Sequence, residues 1–264
     1  MKRTAGAPAR KVAPTFRSSA GLLAGCSADV LVRALTNGHP AIGFVKIDSV
    51  TDSPNPAATR LNALLAEASQ ASLDPAHSQH FEALFSLFIR WNARINLSSI
   101  RDEDTILKRH FVESIACARA LPDGISTLLD FGSGAGFPGL PIALCRPEIA
   151  VTLAESQGKK AAFLHEAVRV LGLSAQVHSG RAESLTTVFD CVTLRAVDKM
   201  DRAVQSAALL VRPGGNLALM TTTAALPALQ AVAGDQFSWT AAPLLPNSPD
   251  RLLALGKRPI NSPS

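Results

Sequence analysis

Tyrosine is absent from this chain of 264 residues, and aromatic residues make up only 5% of it. The absence of tyrosine excludes every mechanism that needs a phenolic nucleophile. The four cysteines lie far apart and form no C-x-x-C pair, so neither a disulfide scaffold nor a structural zinc site is expected. No apolar run reaches the ~18 residues that a membrane-spanning helix requires. These absences predict a cytoplasmic protein with reduced thiols, no metal site and no membrane span.

The net charge of +5 is concentrated near the amino terminus. Residues 1–46 carry seven basic residues against the single acidic residue Asp29, while the other 19 basic and 20 acidic residues nearly cancel. The body of the protein is therefore close to neutral. Any affinity for nucleic acid in that part must come from a local patch rather than from a general positive field.

Residues 1–56 differ in composition from the rest of the chain, since they are rich in Ala, Pro, Gly and Arg and show no sustained apolar period. We interpret them as a disordered or poorly ordered extension that the activity does not need. Its origin stays open between an organellar transit peptide and an upstream extension of a chain that starts at Val50.

Three helices are predicted over residues 57–121, where they would form a helical cap. Apolar residues recur at steps of three and four, first at Leu61, Leu64 and Leu65 and then at Phe81, Leu84, Phe85, Phe88, Trp91 and Ile95. Trp91 continues this stripe, which favours core packing over base stacking. The acidic residues 102–104 favour the start of a third helix, because negative charge stabilises the positive end of a helix.

Residues 122–258 have the pattern of an α/β fold. Short apolar strands are predicted at 127–131, 151–154, 191–194 and 216–220, and helical segments are predicted between them at 159–171 and 201–210. Strands that alternate with helices of this length indicate a parallel sheet covered on both faces. Residues 251–256 are expected to add a late antiparallel strand at the edge of the sheet, and 259–264 to form a tail.

A glycine-rich loop is the most informative segment, Asp130-Phe-Gly-Ser-Gly-Ala-Gly-Phe-Pro-Gly139. It follows a predicted strand and opens a predicted helix. Gly132, Gly134 and Gly136 allow a tight turn and a close approach of backbone to a ligand. Glu155 ends the next strand, where its carboxylate can accept hydrogen bonds from both hydroxyls of a ribose.

Three interpretations of this loop stay open. A nicotinamide dinucleotide is favoured by the literal G-x-G-x-x-G of residues 134–139, although Pro138 lacks an amide hydrogen where a pyrophosphate needs donors. S-adenosylmethionine carries no phosphate and suits a G-x-G-x-G bend preceded by an acid, here Asp130. The third interpretation is a tight strand-to-helix turn that binds no ligand.

Further motifs make the sequence recognisable between about residue 60 and residue 257. They are Arg90-Trp-Asn-Ala-Arg-Ile-Asn-Leu-Ser, Arg109-His-Phe-Val-Glu-Ser, Leu129-Asp-Phe-Gly-Ser-Gly-Ala-Gly-Phe-Pro-Gly, Glu155-Ser-Gln-Gly-Lys-Lys, Gly180-Arg-Ala-Glu, Leu194-Arg-Ala-Val and Arg212-Pro-Gly-Gly. With these motifs in this order, the chain resembles the bacterial small-subunit ribosomal RNA methyltransferase G family, also called the glucose-inhibited division protein B family.

The resemblance implies a Rossmann-like class I methyltransferase with a mostly parallel seven-stranded sheet flanked by helices and an N-terminal helical cap. It implies an enzyme that transfers a methyl group from S-adenosyl-L-methionine to N7 of one guanine, guanine 527 in rRNA numbering, of 16S ribosomal RNA. The implied partner is this RNA or the small ribosomal subunit, and we expect a monomer.

Site residues are also implied by the resemblance. The cofactor-binding residues would be Asp130, Gly132, Gly134, Gly136, Phe137, Glu155, Ala182, Glu183 and Arg195. Arg195 would line the place where donor and guanine meet, and Arg109 and His110 would join it as catalytic, RNA-facing residues. Lys159 or Lys160 would also face the RNA near the mouth of the site.

The implied chemistry needs no general base, because N7 of guanine carries a lone pair and no proton. Such an enzyme mainly aligns the nucleophile, the methyl group and the sulfur, and shields them from water. Two departures from the family pattern are present, Leu194 in place of a serine and Thr221 in place of a lysine. Two other functions stay open beside the methyltransferase, a nicotinamide-dependent oxidoreductase and a non-catalytic rRNA-binding assembly factor.

Overall fold

The structure is a computed structural model, and it describes residues 56–240 and 243–260. The extension predicted over residues 1–56 lies outside the described residues except for Pro56, and so do residues 261–264 of the predicted tail.

The predicted cap helices are present as α1 (Pro56–Glu67), α2 (Pro75–Ile95) and a third helical stretch. This stretch consists of α3 (Glu103–Ile106), a π-helical segment (Leu107–Val112) and α4 (Glu113–Ala120). Asp102 caps it, since its side chain accepts a hydrogen bond from the amide of Thr105 at 2.8 Å. The predicted start of the third helix is therefore correct.

A seven-stranded sheet follows, with the strand order β3-β2-β1-β4-β5-β7-β6. The strands are β1 (Thr127–Phe131), β2 (Ala150–Ala154), β3 (Gln176–His178), β4 (Phe189–Arg195), β5 (Val211–Thr222), β6 (Ser238–Trp239) and β7 (Arg251–Lys257). The first five are parallel, whereas β7 is antiparallel to β5 and β6 is antiparallel to β7. The mostly parallel seven-stranded α/β fold is thus confirmed.

The helices between the strands are α5 (Gly139–Cys145), α6 (Gly158–Val170), α7 (Met200–Leu209) and α8 (Leu226–Ala233), with a 3₁₀ turn at Ala182–Ser184. They cover both faces of the sheet. Neighbouring strand residues such as Leu128 and Leu129 belong to different hydrophobic clusters, because successive side chains of a strand point to opposite faces. One cluster contains the cap, α5 and α6, and the other contains α7 and α8.

The expected position of β7 was wrong in one respect. It is antiparallel as predicted, but it is not the edge strand, because Ser238 and Trp239 pair with Lys257 and Gly256 and cover it. The sequence did not predict β6 or β3, since a two-residue strand and the segment Gln176–His178 are too short to show an alternating pattern.

The cap packs on the sheet through aromatic contacts. Phe88 lies edge-on to Phe137 of the glycine loop, with 5.7 Å between ring centroids. Trp91 lies edge-on to Phe163 and donates a hydrogen bond to Glu166 of α6 at 3.0 Å. Trp91 is therefore a packing residue, as its place in the apolar stripe indicated. In the part of the chain that the structure describes, no helix is long and apolar enough to cross a membrane.

Candidate active site

A cavity of about 590 Å³ lies at the carboxyl ends of β1, β2 and β4. In a doubly wound sheet this edge is the usual place for a ligand. The cavity is lined by residues 131–135, 154–157, 180–183 and 195–199, together with Leu97, Ser98, His110, Phe137, Lys160, Arg202 and Ala203. The structure thus brings together most of the residues that the sequence predicted for the site.

The glycine loop forms the floor of this cavity. Gly132, Gly134 and Gly136 have φ values of 71°, 57° and 80°, in the left-handed region that favours glycine. A Cβ atom on Gly136 would also lie 2.4 Å from Cδ1 of Leu140. Gly132, Gly134 and Phe137 line the cavity as predicted, whereas Gly136 does not and serves the turn.

Asp130 supports the loop from behind instead of lining the cavity. The residue is 1% exposed, and its carboxylate accepts hydrogen bonds from the amide of Gly139 at 3.1 Å and the hydroxyl of Thr193 at 3.0 Å. Burial raises the pKa of Asp130 to about 6, against the opposing effect of these hydrogen bonds. Asp130 is not among the lining residues, and its hydrogen bond to Gly139 holds the loop, so that contact of Asp130 with the cofactor stays a prediction.

The same contact bears on the dinucleotide interpretation. A pyrophosphate needs free amides at the start of the helix that follows the loop. Here the amide of Gly139 donates to Asp130, and that of Leu140 donates to the carbonyl of Gly136 at 2.8 Å. Pro138 and Pro141 have no amide hydrogen. The first turn of α5 therefore offers no donors to a pyrophosphate, and this argues against a nicotinamide dinucleotide.

Glu155 braces the loop and faces the cavity. One carboxylate oxygen accepts from the amide of Gly134 at 2.9 Å and the other from the amide of Gln157 at 2.7 Å. The residue is 6% exposed and lines the cavity. Because an ionised carboxylate offers about four lone-pair sites, two remain for hydroxyl groups of a ligand.

The cap contributes His110 to the cavity wall. Its ring stacks on Phe137 with 5.0 Å between centroids, and its Nε2 lies 2.9 Å from Oγ of Ser98. Within the described residues, the buried Nδ1 has no hydrogen-bond partner. Burial lowers the pKa of His110 to about 3, assisted by the nearby guanidinium groups of Arg195 and Arg109. His110 is therefore neutral at physiological pH.

Arg195, at the end of β4, also lines the cavity. Its guanidinium donates to the carboxylate of Glu113 at 3.2 Å, to the hydroxyl of Ser114 at 3.3 Å and to the carbonyl of Arg109. These bonds tie the sheet to the cap. The side chain of Arg109 is 42% exposed and is not part of the cavity lining, so Arg109 lies beside the site and not in it.

Several lining residues were not predicted from the sequence. Leu97 and Ser98 come from the loop after α2, which Asn92 shapes by accepting a hydrogen bond from the amide of Ser98 at 2.8 Å. Arg202 and Lys199 come from the segment after β4. Of the two lysines predicted near the mouth of the site, Lys160 lines the cavity at the start of α6, whereas Lys159 does not. The motif around residues 96–98 was visible in the sequence, but its place over the glycine loop depends on how the cap packs.

The buried Asp130 predicts a pH dependence of stability. The folded protein holds a proton on Asp130 with a pKa of about 6, against an ordinary value of 3.8. The folded state therefore binds more protons, and the contribution of this group to stability falls as pH rises from about 4 to about 6, by about 2–3 kcal/mol in total. Urea unfolding of Asp130→Asn should lose this decline, whereas the exposed control Asp201→Asn should keep it. An unchanged decline in Asp130→Asn would contradict the assignment.

Solved structures show the class to which this fold belongs. Cofactor-bound Rv0187 from MTB aligns with a TM-score of 0.52 at 18% identity, over 80% of this chain and 100% of that one. A methyltransferase from Pyrococcus furiosus aligns with a TM-score of 0.51 at 13% identity, over 68% of this chain and 98% of that one. Both likenesses show the fold of this chain, which is a Rossmann-like α/β fold.

The chain belongs to the GidB family, rRNA small subunit methyltransferase G, whose model matches residues 77–236. The ribosomal RNA small subunit methyltransferase G of Xanthomonas oryzae pv. oryzae (strain MAFF 311018) is 41% identical over 152 residues, which cover 56% of this chain and 71% of that protein. The protein of the same name from Roseiflexus castenholzii is 44% identical over 150 residues, 54% of this chain and 64% of that protein.

Membership of this family bears on the functions that the sequence left open. The resemblance to the rRNA methyltransferase G family and the prediction of an enzyme are confirmed. S-adenosyl-L-methionine as the cofactor is confirmed as well, since the family is dependent on it. The oxidoreductase alternative is set aside, and the substrate class is small-subunit ribosomal RNA.

Proposed function

We propose that this protein methylates N7 of one guanine, guanine 527, in 16S ribosomal RNA, acting as a monomer in the cytoplasm. The observation that carries the proposal is the composition of the cavity wall. One side consists of the glycine loop and Glu155, and the other of Ser98 and His110 from the cap. The first side suits a nucleoside-bearing methyl donor, and the second leaves room for a base to approach it.

The donor side fits S-adenosyl-L-methionine. Glu155 would accept hydrogen bonds from the ribose hydroxyls, and Ala182 and Glu183 would border the adenine. Gly132, Gly134 and Phe137 would contact the donor through the floor of the cavity. When bound, the donor supplies an electrophilic methyl group on a sulfonium.

The acceptor side suits a nucleophile that brings its own lone pair. His110 is neutral and Arg195 is offset by Glu113, so neither adds a free charge beside the positive sulfonium. N7 of guanine loses no proton when it is methylated, so the residues have only to orient the base and exclude water. The stacked rings of His110 and Phe137 both line the cavity, which supports a role in orienting a base.

Methyl incorporation tests the proposal directly. The protein is incubated with labelled S-adenosyl-L-methionine and either undermethylated small subunits or naked 16S rRNA, and the labelled position is mapped. We expect one label per RNA, at N7 of guanine 527. Subunits that already carry this methyl group are the matched control and should accept no label. Label at another position would refute the proposed specificity, and RNA binding without any label would favour the non-catalytic assembly factor.

A further inference from the structure

Three arginines surround one buried carboxylate next to the cavity. The side chain of Glu113 is 1% exposed. Its Oε2 accepts a hydrogen bond from Arg195 at 3.2 Å, and its Oε1 accepts one from Nε of Arg251 at 2.9 Å. Nε of Arg109 lies 3.9 Å from the same Oε1. These four residues, which we call the Glu113 cluster, join the cap, β4 and β7.

The Glu113 cluster has more positive than negative charge. Glu113 balances one of its three guanidinium groups, and Asp250 lies 3.9 Å from Arg251. One positive charge is therefore left over. The guanidinium groups of Arg109 and Arg251 both approach Oε1 of Glu113, but only Arg251 forms hydrogen bonds with it.

Arg109 is the arginine of the cluster whose side chain forms no hydrogen bond with Glu113, since its Nε lies 3.9 Å from Oε1. Its Nε is buried and has no hydrogen-bond partner within the described residues, although the side chain as a whole is 42% exposed. The exposed part of this guanidinium is therefore open to an anion with several oxygens, which would form charge-assisted hydrogen bonds with it.

The position of the cluster indicates what the anion is. Arg195 lines the cavity, whereas Arg109 and Arg251 do not. A carboxylate of the methyl donor, which is held inside the cavity, would not reach them. Arg109 directly precedes His110, on the acceptor side of the site. An anion here would belong to the strand that carries the target base.

We propose that Arg109 and Arg251, oriented by Glu113, form a phosphate-binding subsite for a backbone phosphodiester of the RNA substrate next to the target nucleotide. This inference rests on the proposed function, since it names the part of the RNA that the acceptor side holds. The planar guanidinium of arginine can bind two phosphate oxygens at once, which fixes the orientation as well as the position of the strand. Arg251 and Glu113 add residues that the sequence motifs did not assign to the site.

The test compares Arg109→Gln with Arg119→Gln. Both residues lie on the same helical stretch, and Arg119 is an exposed arginine ten residues further along, about 15 Å away along the axis. RNA affinity is measured by fluorescence anisotropy with a labelled 16S rRNA fragment that contains the target, at several salt concentrations. We expect Arg109→Gln to bind about tenfold more weakly and its salt slope to fall by about one. Arg119→Gln should match the wild type.

Two further measurements separate the alternatives. S-adenosylhomocysteine should bind Arg109→Gln as tightly as wild type, and kcat should stay unchanged while KM for RNA rises. A loss of kcat with unchanged RNA affinity would place Arg109 at the reacting atoms and overturn the subsite. If inorganic phosphate stabilises the wild type but not the variant in thermal melts while RNA affinity is equal in both, the subsite binds free phosphate and the assignment to RNA is wrong.

Failure of this inference is distinguishable from failure of the proposed function. If the wild type methylates the RNA and Arg109→Gln behaves like Arg119→Gln in every assay, only the phosphate subsite is refuted. If the wild type transfers no methyl group, the proposed function fails first. Because Arg251 also pairs with Glu113, Arg251→Lys is the second variant. Arg251→Lys keeps the positive charge but cannot form bidentate hydrogen bonds with a phosphate. This variant should weaken RNA binding less than Arg109→Gln does.

Discussion

Replacing Glu113 with alanine is expected to lower the free energy of unfolding by about 3–5 kcal/mol. Glu113 is the carboxylate that compensates the buried guanidinium of Arg195, and burial already lowers the pKa of Arg195 against the opposing effect of Glu113. Without Glu113, the guanidinium groups of Arg195, Arg251 and Arg109 would lie close together with no carboxylate between them. Removing one partner of a buried ion pair costs this much because the other charge is left uncompensated.

A matched control is available in the exposed ion pair of Glu67 with Arg60, at 3.2 Å and with 53% and 38% of the side chains exposed. Glu67→Ala removes the same kind of side chain and should change stability by less than about 1 kcal/mol. Both variants are measured by urea unfolding at pH 7. Equal effects of the two substitutions would show that the Glu113 cluster stabilises the fold no more than a surface pair.

The sequence predicted the elements whose signals are local. The predictions of a strand at 127–131 and of a glycine loop after it were correct, because each depends only on residues that are neighbours in the sequence. Glu155 was placed correctly at the cavity for the same reason, since it ends the strand next to the loop. The helical stretch after Asp102 was predicted from the negative charge of residues 102–104 and from its apolar spacing.

The interactions that complete the site join distant parts of the chain. Glu113 meets Arg195 across 82 residues and Arg251 across 138 residues, and no local pattern reports such a pairing. Asp130 was expected at the cofactor, yet its carboxylate points to the amide of Gly139 behind the loop. That direction follows from the packing of α5 on β1 and cannot be read from the spacing of the motif.

Replacing Glu155 with alanine is expected to weaken the binding of S-adenosylhomocysteine by about 1–3 kcal/mol, which is about 5- to 150-fold in affinity. In our proposal the carboxylate accepts hydrogen bonds from the ribose hydroxyls and also holds the amides of Gly134 and Gln157. The substitution removes the ligand contact and leaves two amides of the loop without their acceptor. Isothermal titration calorimetry measures the loss.

The ligand contact and the bracing of the loop can be separated by changing the ligand as well as the protein. Wild type should bind the 2′-deoxy analogue of S-adenosylhomocysteine more weakly than the parent compound, because one charge-assisted hydrogen bond to Glu155 is lost. Glu155→Ala should bind the two compounds equally, since the acceptor is gone. Glu183→Ala, which changes another carboxylate of the same cavity, should keep the preference for the parent compound. If Glu155→Ala still prefers the parent compound as strongly as wild type does, Glu155 acts on the loop alone and another residue binds the ribose.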